Sequence, residues 1–597
     1  MGLLTRLLSF GTATALAVGT LLAMPTAAFA QAPDVAYISS MSGNVSITRG
    51  DSGNAEAAAI NAPLMVGDYL ATDPSGRSEV QFDSGHILRV GPNTQLRFAQ
   101  IDYNADTVQL ASGEIGVGVV RGTNEYTQIE TPSVTIRPRD MGYYRVDVNP
   151  QNVTAITVRD GAAAVLLPQG TQYLDPGSTM LVWGDPNNPQ FRFVGAYGEN
   201  AFDQWNMNRD NAFMRSAAYQ QDVPAWMPGA YDLDDYGTWQ NDPAYGQVWT
   251  PNNVAPNWSP YSNGRWVWEP YYGWTWVDYA QWGYAPFHYG RWYRYHDRWA
   301  WYPGGYAASV QPWSPALVAF IGFNTGNFSF GLSLLNNVGW VPLAPAEPIY
   351  PWWGPAAYPV GYNVTYNVIS PTVIYANARW PNAVRWVGRN NFASGNYRNF
   401  EAVPARYFAH AAVVRAGLPI APDPPALRYT ASSSVRVHAA TATSFHSFRT
   451  TPHTPATFAV QRRTIVSYQD RVHIVPTHAA PPQAHFVAPQ QRTQFAAPRT
   501  QPQQHDALAP RTQFAAPQQQ RHVAPAAPHY AAPAQHAAPQ MRTAPAPHYA
   551  APVQHAAPAP HYAAPQMRTA PAPRAAPAHV APSKQAPSNK NKDQSSK

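Results

Sequence analysis

At 597 residues the chain is long enough for three or four domains. It has no Cys, which excludes disulfides, thiolate metal sites and lipid attachment through a lipobox cysteine. The net charge of +6 hides a polarity: residues 31–401 carry 20 Arg against 30 acids, or −10, whereas from Ala402 onward 19 Arg or Lys face four acids, or +15, and Arg6 supplies the last +1. An acidic folded part with a basic tail is expected to bring that tail to an anionic surface or back onto its own body. The first 30 residues read as a signal peptide. Arg6 gives the positive start, Ala13 to Met24 the short apolar core, and Ala28-Phe29-Ala30 a small-x-small site with cleavage expected after Ala30. The apolar run is too short and too interrupted for a retained transmembrane helix. A periplasmic or cell-surface location follows as the expectation.

Residues 31–190 are expected to form one β domain. Val45-Ser46-Ile47, Glu79-Val80-Gln81-Phe82, Ile87-Leu88-Arg89-Val90 and Thr94-Gln95-Leu96-Arg97-Phe98 alternate in hydrophobicity, separated by Asp83-Ser84-Gly85 and Gly91-Pro92-Asn93. These turn formers at this spacing predict a sandwich or roll of hairpins. Further strands are predicted at 133–136, 144–148, 155–158 and 164–167. Gly43-Asn44-Val45, Leu64 to Thr72, Gly76-Arg77-Ser78-Glu79-Val80, Pro92 to Leu96, Gly113-Glu114-Ile115, Thr131-Pro132 and Asp160-Gly161-Ala162 together resemble the periplasmic FecR module. That resemblance, over about residues 35–183, implies the module's β fold. In the family the module passes a surface signal through a membrane helix to a cytoplasmic sigma factor. Neither a cytoplasmic segment nor a retained helix is expected here, so the signalling role does not come over with the fold.

Residues 191–225 are expected to be a helical linker. Between Glu199 and Ser216, Phe202, Trp205, Phe213 and Met214 approximate one apolar side of a helix bridging two modules.

Residues 226–415 hold an aromatic block. Eleven of the 20 Trp lie between Trp239 and Trp301, and Gly recurs at 237, 246, 264, 273, 283 and 290. In Trp266-Val267-Trp268 and Trp274-Thr275-Trp276 the period of two places both rings on one face of a strand. Gaps such as Glu269-Pro270-Tyr271 predict an antiparallel meander of hairpins. The block resembles an uncharacterised aromatic-repeat family that follows FecR-like modules in exported bacterial proteins, which implies an architecture and no activity. The continuous apolar run from Leu317 to Phe323 predicts a buried strand.

Residues 416–597 are expected to be a disordered, low-complexity basic tail. Pro528-His529-Tyr530-Ala531-Ala532-Pro533 returns at 547–552 and 560–565, and such Pro density favours extended conformers without a core.

The fold class is therefore mainly all-β: a FecR-like sandwich or roll, a bridging helix, an aromatic antiparallel module and a disordered tail. No His-Glu-x-x-His, Gly-x-Ser-x-Gly or Walker loop occurs, and Gly116-Val117-Gly118 sits in a strand pattern with no helix after it. No cofactor or metal is expected. Asp232, Asp234, Asp235, Asp242, Glu269, Asp278 and Asp297 stand among the rings, where glycosidases place two carboxylates; the alternative is that they hydrate turns or pair with Arg265, Arg291, Arg294 and Arg298. The rings themselves form either a core or an exposed stacking groove. Trp266, Trp268, Trp274, Trp276 and Trp292 are the candidates for stacking on a ligand, with Arg265 and Arg291 as supporting cations. The expected role is non-enzymatic: binding or scaffolding of envelope glycan or protein through the rings, and of anionic polymer through the tail, with no nucleic-acid partner. A FecR-type sensor and a glycan-acting enzyme are the alternatives.

Overall fold

In the N-terminal third the alternating runs become two stacked sheets. A computed structural model describes residues 34–476 except 103, 124–125, 305–311, 324–334, 359–362, 369, 398 and 432–448. The expected signal peptide with its Ala30 site, and the repeats of the tail, lie outside the described residues. One sheet runs Pro63–Leu64, Ala36–Ser42, Arg77–Gln81, His86–Val90, Ala105–Val119, Gly142–Val148, Thr154–Val158, Ser178–Trp183, Gln190–Gly195. The other runs Ala55–Ala57, Val45–Thr48, Tyr69–Thr72, Gln95–Asp102, Ala105–Val119, Tyr126–Glu130, Thr135–Pro138, Ala163–Leu167, Gly170–Leu174. The 15-residue strand Ala105–Val119 belongs to both, switching partners at Gly113, whose φ of 93° only Gly adopts freely. Ile38, Leu88, Phe98, Val117, Tyr144 and Ile156 fill the interior. The sandwich extends beyond the expected end at residue 190, because Gln190–Gly195 is its edge strand.

The expected helix spans Ala201–Arg215, capped by Asn200 and Asp203, each side chain bonding the other residue's backbone N–H. Its buried face differs from the apolar one predicted. Phe202 and Phe213 are buried, but Met214 is exposed and the remaining buried positions are Asp203, Asn206 and Asp210. Polar residues can face inward because the sandwich meets them with arginines: Arg89 binds Asp210 at 2.6 Å, and Arg145 binds Asp203 at 2.9 Å. Gly116 and Gly118 also acquire a reason. A Cβ on either would stand 2.4 Å from the Asn206 amide oxygen or 2.8 Å from the Asp210 carboxylate. They let the helix approach the sheet.

In the aromatic region the hairpins form, though not as one continuous meander. Gly237–Asp242, Gly246–Pro251, Arg298–Tyr302 and Arg291–Tyr295 make a four-stranded antiparallel sheet in that order. Gly264–Glu269 and Gly273–Asp278 form a separate hairpin. Two turns repeat one recipe, acid-Pro-x-Tyr-Gly at 242–246 and 269–273, with Gly246 and Gly273 both left-handed (φ 80° and 66°). Val318–Phe323, buried throughout as expected, lies within a seven-stranded sheet.

The described start of the tail departs from expectation. Residues 449–476 are folded: Phe458–Gln469 is a helix, and Val472–Pro476 pairs in parallel with Val364–Val368. Between Pro455 and Pro476 the sequence contains no Pro, and this Pro-free window lets helix and strand form where composition alone predicted neither.

Candidate functional site

Period-two alternation sets up a row of indoles across the four-stranded sheet. Trp239 stands opposite Trp249, Trp249 opposite Trp301, and Trp301 opposite Trp292. Two residues along, still on that face, Arg294 stands opposite Trp299 at the edge of the sheet. The aromatic face thus ends in a guanidinium.

That end opens into a groove between the strand ends and the 253–258 loop, lined by Pro251, Asn253, Val254, Trp258, Arg294, Arg298 and Trp299, with Asp297 as the acid of its lining. Trp258 is half-buried and meets Trp292 edge-on, their centroids 5.6 Å apart. The Arg294 guanidinium carbon lies 5.6 Å from the Trp299 ring centre and 5.5 Å from that of Trp380, which is 43 % exposed. Two rings therefore orient one cation. Its Nε is out of contact with solvent and has no hydrogen-bond partner, while an Nη atom donates to the Asp297 carbonyl. Arg298 donates to the Pro251 carbonyl at 3.2 Å. No ion pair joins either arginine to a carboxylate among the described residues. The hairpin between them turns through His296 and Asp297, both left-handed (φ 45° and 60°). This is a two-residue turn of the type that ordinarily takes Asn-Gly, so the rim of the groove is mildly strained.

A second polar centre lies between the sandwich and the Gly264–Asp278 hairpin. Arg49 donates to both Glu269 carboxylate oxygens at 2.9 and 2.8 Å, to the Trp268 carbonyl at 2.9 Å and to the Tyr429 hydroxyl at 2.7 Å. All four groups are buried, and burial raises the Glu269 carboxyl to about 7 despite the guanidinium. Tyr37 of the sandwich stacks on Tyr284 at 3.4 Å.

Residues 68–164 match the family described as FecR protein. The chain carries a FecR domain. It is followed over residues 230–347 by a match to a family of unknown function (DUF6600), which includes the indole row and the groove hairpin. Two crystal structures of a proposed anti-sigma factor from Parabacteroides distasonis are similar at 17 % and 16 % identity, each with a TM-score of 0.19. The first alignment covers 21 % of this chain and 59 % of that one, the second 28 % and 72 %. The chain thus spans less than two thirds of the first of these structures. No curated protein matches it.

The five tryptophans predicted to stack on a ligand are all core residues. Trp266, Trp274 and Trp276 are fully buried, and Trp268 and Trp292 are 3 % and 1 % exposed. The cause is the position of the Gly264–Asp278 hairpin as a layer between two cores. Trp266 faces Trp276 and Trp268 faces Trp274 across the strands, edge-to-face at 5.4 and 5.6 Å, within the aromatic core. On the other face Val267 and Val277 pack into the core of the FecR domain. Trp292 is closed in by the indole row and donates its N–H to the Pro286 carbonyl at 2.7 Å. The supporting cations also turn inward. Arg265 donates to the carbonyls of Arg428 and Gly395, and Arg291 to that of Gly290.

Five of the seven acids among the rings have partners, none of them an arginine proposed for it, and Asp297 meets Arg294 only through its backbone carbonyl. Glu269 holds Arg49 of the FecR domain. Asp278 accepts the Trp276 indole N–H and the Ala280 amide. Asp242 accepts the Tyr293 hydroxyl and two turn amides, and Asp234 binds Ser216, Ala218 and Trp239. Asp232 lies 4.0 Å from Arg209. No cluster of three or more His, Asp or Glu suited to a metal ion occurs among the described residues, and no described helix is long and apolar enough to cross a membrane.

The groove residues Trp258, Trp299, Arg294 and Arg298, and Trp380 against Arg294, were missed as a site. A signal was present. Trp258 and Trp380 sit outside strand patterns beside Pro and Asn, in Pro256-Asn257-Trp258-Ser259-Pro260 and Arg379-Trp380-Pro381-Asn382, and Arg294 is in phase with Trp292.

Proposed function

We propose that this is an exported, non-enzymatic binding protein of the cell envelope. The FecR domain and the aromatic module act as one body, the groove at Trp258 and Arg294 contacts envelope glycan or protein, and the basic tail adheres to anionic polymer. The observation that carries this reading is the groove itself, lined by indoles and by two guanidiniums that form no ion pair with a carboxylate among the described residues. A two-carboxylate hydrolytic mechanism needs facing acids about 5–9.5 Å apart, and Asp297 alone lines the groove. Location in the periplasm or at the surface, after cleavage following Ala30, belongs to the same proposal, as does the lack of a nucleic-acid partner. Its test is titration of the purified full chain with solubilised envelope glycans, followed by tryptophan fluorescence. All 20 Trp precede residue 387, so the signal reports on the folded body that holds the groove. A saturable shift is expected; a flat signal with every glycan sinks the reading. Tail binding to anionic polymer, followed separately by co-sedimentation, should weaken from low to high salt.

A second reading, a FecR-type sensor and regulator, is favoured by the FecR match over residues 68–164. Mass spectrometry of the mature protein separates the two. A start at Gln31 supports the exported binder, and retention of residues 1–30 supports the sensor.

A further inference from the structure

We infer that the groove at Trp258 takes an anionic saccharide: a sugar ring lies on the indoles and its carboxylate or phosphate is held by Arg294 and Arg298. The inference rests on the binding role proposed above and names the ligand class for that site. Three features combine. The first is stacking surface, since Trp258 lines the groove half-buried and Trp380 presents an exposed ring beside it. Flat indoles match the C–H face of a pyranose and exclude water over it. The second is a pre-set cation. Arg294 is held between Trp299 and Trp380 at 5.6 and 5.5 Å, so its planar fork is oriented before any ligand arrives. Neither Arg294 nor Arg298 has a carboxylate partner among the described residues. A guanidinium without a counter-ion, partly withdrawn from water, binds an oxyanion more strongly than one already in an ion pair. The third is placement: the two-residue turn at His296 and Asp297 brings Arg294 and Arg298 to the same end of one hairpin. Asp297, at the rim, is placed to accept a sugar hydroxyl and to disfavour a second negative charge there.

The charge could come from a uronic-acid carboxylate or from a sugar phosphate, and the test has an arm for each. The full chain is titrated with hexagalacturonate, with its methyl ester (the same rings without charge) and with a phosphomannan oligosaccharide, by tryptophan fluorescence. At least one acidic ligand is expected to bind about tenfold or more tighter than the methyl ester. Arg294→Gln should lower the affinity for the acidic ligands far more than for the methyl ester and so remove that preference. Arg294→Lys, which keeps the charge and loses the fork, should fall between. Trp380→Ala, at an exposed position, should weaken all three ligands without changing the melting temperature. Equal affinity for acid and ester overturns the charge assignment and leaves the binding role standing. Binding of none of the three, where other envelope glycans bind, overturns the ligand class alone. If no glycan of any kind binds, both fall. An acid preference that survives Arg294→Gln in a folded protein places the site elsewhere and also overturns the inference.

Discussion

At the scale of the residue, tryptophan in this chain does two jobs that side-chain identity does not separate. Trp266 touches Trp276, Trp340, Trp352, Phe320 and Phe392 within the aromatic core. Trp380 touches Arg294 and solvent. Trp266→Ala should therefore cost about 3–5 kcal/mol in urea unfolding, against roughly 0.5 kcal/mol or less for Trp380→Ala. Buried ionisable groups separate in the same way. Arg49 and Glu269 complete each other, so Glu269→Ala should destabilise by about 3–5 kcal/mol by leaving a buried guanidinium without its carboxylate. His288 is fully buried against Ser314 and Trp313, and burial depresses its imidazole to about 4. Its folded value lies below the ordinary 6.5, so it stays neutral in the fold while the unfolded chain takes up a proton. The stability it preserves is complete above pH ~6.5 and lost as pH falls toward ~4, on the order of 3 kcal/mol. Buried carboxyls raised like that of Glu269 act in the opposite direction over this range. The His288 contribution is therefore read as the difference between wild type and His288→Gln in denaturant titrations from pH 7 to 4, and that difference should shrink as pH falls.

At the scale of the element, the hairpins were legible and their neighbours were not. Trp-x-Trp alternation and the acid-Pro-x-Tyr-Gly turns specify local geometry strongly enough that Trp266 faces Trp276 in the structure as the period requires. What the pattern could not convey is that Val267 and Val277, the other face of the same hairpin, meet a second core. An alternation of Trp with Val or Thr looks the same whether its second face is wet or covered. The helix at 201–215 shows the converse. Its inward face is polar, and only the arginines of a distant sheet make that possible. The two-residue turn at His296 and Asp297 gives an element-scale prediction. Replacing the pair by Asn-Gly should stabilise the protein by about 1 kcal/mol, because those residues enter the left-handed region at less cost. A change in denaturation midpoint measures it; unchanged or lowered stability would show that the turn is unstrained.

At the scale of the whole molecule, the folded body continues past the expected boundary at residue 415. The segment 449–476 crosses both modules. Thr450 donates to Glu130 of the FecR domain, Gln461 to Asp51, and Trp268 of the aromatic core donates to Gln461 at 2.8 Å. A chain ending at residue 431 should lose this strap and melt well below the full-length protein. One ending at Gln494 keeps the strap and should melt within about 2 °C of it. Thermal denaturation of the three chains decides the point.

The sequence alone determined the class of the protein, eight of the seventeen strands of the FecR domain, the hairpin turns and the charge division between body and tail. Each depends on spacing or composition within a few residues, the range over which backbone geometry acts. Only tertiary structure decided which rings are covered. Burial depends on what arrives from hundreds of positions away: Arg49 reaching Glu269, the FecR core closing over Val267, a Pro-free window folding back from the tail. The same long-range packing left Trp258, Trp380 and Arg294 at the surface and took Trp266 and Trp276 inside.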